Sequence, residues 1–104
     1  MIIRISADLV PALDDAANFR RFHVELAVPP AALPRLRSGL AGLADWTDAT
    51  EAWISIAALQ ALPEAPADPA WREGLEAMIE KARPHGWVRA TPVPAIKAHL
   101  VWQS

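Results

Sequence analysis

From Arg21 to Val28 the chain alternates apolar and polar residues with period two: Phe22, Val24, Leu26 and Val28 fall on one side, Arg21, His23 and Glu25 on the other. That period is the signature of a half-buried strand. A short β-branched run, Ile2 to Ser6, reads as a second strand. The segment between them, Asp8 to Arg20, carries Pro11 and the pair Asp14 and Asp15, and is open to a short helix or a strand connection. Pro29 and Pro30 stop the long strand, because proline donates no ladder hydrogen bond. Leu33, Leu36, Leu40 and Leu43 then recur at helical spacing, with Pro34 in the first turn and Gly39 and Gly42 marking an end near Gly42.

Asp48 to Leu62 is two-sided. The run Ala52 to Ala57 would serve as a buried strand, but three signals favour a helix: the capping-box spacing of Asp48 and Glu51, the polar stripe Asp48, Glu51 and Ser55, and the stop at Pro63. After a proline-rich connector, Asp68 followed by Pro69 predicts a helix start, with Trp71, Leu75, Met78, Ile79 and Ala82 on its apolar face and Pro84 and Gly86 at its end. Trp87 to Arg89 and Ile96 to Trp102 read as two strands of a C-terminal hairpin. The order predicts an α+β fold over a single domain, 1–104: a mostly antiparallel sheet with two to three helices on one face. If the Trp53 segment is a strand instead, the layout approaches a ferredoxin-like sandwich.

Composition narrows the function classes. With 104 residues, 53% hydrophobic and 21% charged, the chain can bury a core and should fold throughout. A formal net charge of −2 gives no bulk positive field for phosphates, which argues against a nucleic-acid partner. The first residues meet Arg4 and Asp8 before an apolar signal region could form, and the longest uncharged apolar stretch, Ala52 to Pro63, is too short to span a bilayer, so a cytoplasmic protein without membrane contact is expected. Zero cysteines exclude disulfides, thiolate nucleophiles and Cys-ligated zinc. Alanine and arginine predominate over isoleucine and lysine outside the N-terminus, a bias associated with high-GC bacterial genomes.

No glycine spacing matches a phosphate loop, and neither a Gly-x-Ser-x-Gly elbow nor a His-Glu-x-x-His helix occurs, so no cofactor is expected. The chemistry left is a matter of strand faces. Arg21, His23 and Glu25 share one face, Lys97 and His99 share one face of the last strand, and Arg4 and Ser6 can join them. His23 with Glu25 and His99 form a candidate acid/base set, because histidine titrates near neutral pH and a carboxylate can orient it. Arg21 and Lys97 would hold an anion, and Trp53 and Trp87 would wall a pocket. The same histidines and carboxylate are a two-histidine, one-carboxylate ligand combination, although no metal is expected. A solvated polar sheet face explains the alternation equally well. His85, near the end of the third helix, simply complements its dipole.

Two functions are compatible with these residues. One is a small-molecule-binding protein or cofactor-independent enzyme with a pocket between an aromatic wall and the polar sheet face. The other is a non-catalytic interaction module or accessory subunit. Open sheet edges and five tryptophans favour a homodimer.

Overall fold

The computed structural model describes residues 1–103. Its strands are β1 (Ile2–Ile5), β2 (Pro11–Asp14), β3 (His23–Leu26), β4 (Ala44–Asp45), β5 (Glu51–Ser55), β6 (Val88–Arg89) and β7 (Ala95–Trp102), and its helices are α1 (Leu33–Gly39), α2 (Ile56–Gln60) and α3 (Pro69–Ala82). The seven strands form one mixed sheet of order β2-β1-β3-β7-β5-β4, with β6 also on β7. Four of the six pairings are antiparallel; β1 with β3 and β3 with β7 are parallel. This is the expected α+β class. A ferredoxin-like sandwich does not describe this sheet.

Register lines up the apolar residues in rows. Leu13, Ile3, Val24 and Leu100 run across β2, β1, β3 and β7. Ile54, Ile96 and Val88 run across β5, β7 and β6. These rows join Leu36 of α1, Leu59 of α2 and Trp71, Leu75, Met78 and Ile79 of α3 in one core. The opposite sheet face carries Arg4, His23, Glu25, Glu51, Trp53, Lys97 and His99, as the period-two pattern requires.

The helix predicted over Asp48 to Leu62 is corrected to a strand followed by a short helix. β5 pairs with β7 from Glu51 to Ser55 and with β4 at Trp53 and Ile54, and this cross-strand pairing outweighs the local helix signals. The capping groups are real but serve other turns. Asp48 Oδ1 accepts from the backbone N–H groups of Thr50 at 2.7 Å and Glu51 at 3.1 Å in a turn that leads into β5. Ser55 is the true N-cap, its hydroxyl oxygen accepting from Ala58 N–H at 3.2 Å to start α2. The undecided Asp8 to Arg20 segment contains β2. The leucine helix is shorter than its pattern, ending at Gly39. α3 begins as its sequence implies, with Asp68 accepting from Ala70 N–H at 2.9 Å and Pro69 in the first turn.

β5 occupies one edge of β7 along Ala95–His99, so β3 and β6 must share the other edge. β6 takes Ala95 and Ile96, β3 takes His99–Trp102, and the sheet forks between them at Lys97 and Ala98.

Candidate functional site

The fork opens a cleft of about 630 Å³ between β7 and the C-terminal end of α3. Ile96, Lys97 and His99 of β7, with Glu51 of β5, make the sheet wall. Met78, Lys81 and Ala82 of α3 make the helix wall, continued by His85 and Trp87. Phe19, Arg20 and Phe22, from the loop before β3, close a third side.

Local packing holds each wall in place. The Trp71 indole N–H donates to the Ala16 carbonyl at 2.8 Å, and Phe19 lies against Trp71 with ring centroids 6.5 Å apart. Phe19 also rests on Gly74, where an added Cβ would lie 2.6 Å from the ring's Cζ; only a glycine lets α3 and this loop approach so closely. At the other end of α3, a 3₁₀ turn, Arg83–His85, ends at Gly86 with φ of 76°, a left-handed conformation that glycine adopts without strain. That turn stacks His85 on Trp87, with centroids 4.4 Å apart and planes 20° apart. Lys97 N–H donates to the Trp87 carbonyl at 2.8 Å and fixes this aromatic pair beside β7.

The residues singled out in the sequence divide into three groups. His99, Lys97 and Trp87 line the cleft. His23 and Glu25 stand one strand away, outside its lining. His23 and His99 are direct register partners across the parallel β3–β7 pair, so the period-two phase makes them neighbours on the same polar face. His23 is the more enclosed, its side chain 14% exposed, and its Nε2 lies 2.7 Å from Glu25 Oε2. Because an ionised carboxylate only accepts, Nε2 carries the proton in this contact. Glu25 Oε1 accepts from Arg4 Nη1 at 2.7 Å, and Arg4 Nε donates to Asp14 Oδ2 at 2.8 Å, so the pair ends a four-residue polar chain. Arg21 and Trp53 form the third group, outside the lining of the cleft. Arg21 is exposed, its backbone carbonyl accepting from the N-terminal ammonium at 2.7 Å. The half-buried Trp53 ring is covered by cations, with Arg89 Cζ 4.9 Å and Lys97 Nζ 5.8 Å from its centroid. Arg89 continues to Asp45 at 2.8 Å, tying β6 to β4. Among the described residues, no group of three or more His, Asp or Glu side chains could hold a metal ion.

The polar chain also sets an acid limit on stability. The hydrogen bond from His23, aided by Arg4, holds the Glu25 carboxyl below the usual carboxylate range. Arg4 does the same to Asp14, and the hydroxyl and N–H of Thr50 to Asp48. A carboxyl depressed in the folded state stabilises the protein above its unfolded pKa, and that contribution is lost as pH falls through the folded value. Stability measured by urea denaturation should therefore fall with acidification below about pH 4. The fall should be shallower in Arg4→Gln, which removes a cause shared by Asp14 and Glu25. An unchanged acid slope in that variant would remove Arg4 from this role.

Sequence reasoning missed Phe19, Arg20, Glu51, Met78 and Lys81 as cleft residues, and assigned His85 to the helix dipole alone. One signal was present: Lys81 and His85 are four residues apart, about one helical turn, and Trp87 follows two positions later. Of the other tryptophans, Trp71 is core as its spacing implied. Trp46 is also core at 2% exposure, and half-buried Trp102 donates its indole N–H to the Ala49 carbonyl at 2.6 Å. No helix of the described residues is long and apolar enough to cross a membrane. Comparison of the chain with protein-family models, curated proteins and solved structures finds no match to any of them.

Proposed function

We propose that this protein binds a small organic molecule in the cleft at the sheet fork. The observation that carries this reading is the cleft itself. At about 630 Å³ it has the size of a small-molecule site, and it sets an apolar body of Phe19, Phe22, Met78, Trp87 and Ile96 against an equally large set of polar and charged side chains. Binding is better supported than turnover. Of the acid/base candidates only His99 faces the cleft, while His23 is held by Glu25 one strand away.

A neutral fluorescent probe, anilinonaphthalene without a charged group, tests the reading. It should bind saturably with one site per chain and quench tryptophan emission, and the quenching should weaken in Trp87→Ala while the near-ultraviolet circular dichroism of the rest of the protein persists. Absence of saturable binding by the folded protein would overturn the reading.

A second reading, an interaction surface that could also serve a homodimer, is favoured by a separate observation. Val10 at 59% and Val101 at 44% exposure line a shallow hollow with Ala12 and Trp102, alongside the Arg4–Glu25 ion pair, which also lines it. Such an apolar patch suits a partner. Sedimentation velocity should then show self-association at micromolar concentration that Val101→Glu weakens, whereas a concentration-independent monomer would exclude the homodimer.

A further inference from the structure

We infer that the molecule held in this cleft is an organic anion with a flat apolar body, such as an aromatic carboxylate, sulfonate or phosphate monoester. This rests on the binding reading above and adds the charge of the ligand. The chain as a whole carries a formal charge of −2, yet the cleft is lined by the cations Arg20, Lys81 and Lys97 against the single carboxylate of Glu51. The local sign is the reverse of the global one.

The pairing pattern sharpens the point. Lys97 Nζ lies 3.5 Å from Glu51 Oε2, so these two charges largely cancel. Arg20 and Lys81 enter no ion pair among the described residues, and they approach the cleft from different elements, the loop before β3 and the last turns of α3. Against their two positive charges stands the C-terminal end of α3, worth about half a negative charge. Part of that is already answered, because the Ala82 carbonyl accepts from Trp87 N–H at 3.3 Å. His85 and His99 add N–H donors on opposite walls. A neutral ligand would use only the aromatic pair and the apolar body, leaving two cations unanswered. A flat anion uses both parts, its ring against Trp87 and Phe22 and its charged group between Arg20 and Lys81.

The test compares anilinonaphthalene sulfonate with the same neutral anilinonaphthalene, titrated into the intact folded protein. The sulfonate should bind on the order of tenfold or more tightly than the neutral probe, as a charge-assisted hydrogen bond is worth. Arg20→Glu and Lys81→Glu should each weaken sulfonate binding by about tenfold or more and leave the neutral probe nearly unaffected. Arg72→Glu, an equal charge change on the exposed flank of α3, should leave both constants unchanged. Equal affinities for the two probes, unaffected by the Arg20 and Lys81 reversals, would overturn the anion assignment while leaving the cleft a binding site. A loss in Arg72→Glu as large as in Lys81→Glu would also overturn it, since net charge alone would then explain the effect. Binding of neither probe would instead remove the underlying reading.

Discussion

Replacing Leu75 with alanine should destabilise the protein by about 2–5 kcal/mol, the range for truncating a buried leucine to leave a cavity. Leu75 is fully buried, at 0% exposure, and lies mid-way along α3 within the core that joins the helices to the sheet. Its neighbours are anchored at both ends of the helix, by Trp71 on the Ala16 carbonyl and by the capped turn at Gly86, so the wall cannot collapse to fill the gap. Arg72, one turn earlier and exposed, should cost less than about 0.5 kcal/mol when changed to alanine. Urea denaturation of the two variants gives the comparison directly. Equal losses would mean that α3 presents a different face to the core. Because α3 also carries the helix wall of the cleft, a loosened Leu75→Ala variant should bind the neutral probe more weakly as well.

The second large effect separates two tryptophans that look alike in the sequence. Trp46→Ala should cost about 3–5 kcal/mol, because the whole indole is buried and its removal opens a cavity, along with the loss of its N–H bond at 3.0 Å to the Leu40 carbonyl, which keeps the N–H groups of Leu43 and Ala44. Trp87→Ala should cost no more than about 1 kcal/mol, since the ring is 44% exposed and stacks on His85, itself exposed. Their effects on ligand binding should run the other way. Trp46→Ala, if folded, should retain the probe response that Trp87→Ala loses. Thermal melts and fluorescence titration on the two proteins decide it, and comparable stability losses would contradict the assignment of Trp87 to the cleft wall.

Much of the fold was legible because its signals are local. The alternation through Phe22 and Leu26 depends only on the two-residue repeat of a strand, and the Asp68–Pro69 start of α3 depends only on the groups an exposed helix end must satisfy. From the same repeat came the shared face of His23 and Glu25 and that of Lys97 and His99. Asp48 to Leu62 failed for the complementary reason. Its capping signals are local, and Asp48 does hold backbone N–H groups, but of a turn rather than a helix start, while five residues are drawn into β5 by partners that lie forty or more positions later in the chain.

The candidate site was decided almost wholly at the tertiary level. That His23 and His99 sit side by side follows from the parallel pairing of β3 with β7, which no pattern within either segment specifies. The cleft exists because two strands compete for one edge of β7, and its cations arrive from a loop, a helix end and a strand separated by most of the chain. Sequence determined the faces, since side-chain direction is a property of each residue's own backbone. Which faces meet was left to the tertiary structure, because the pairing of distant strands depends on hydrogen bonds and packing that only the folded chain brings together.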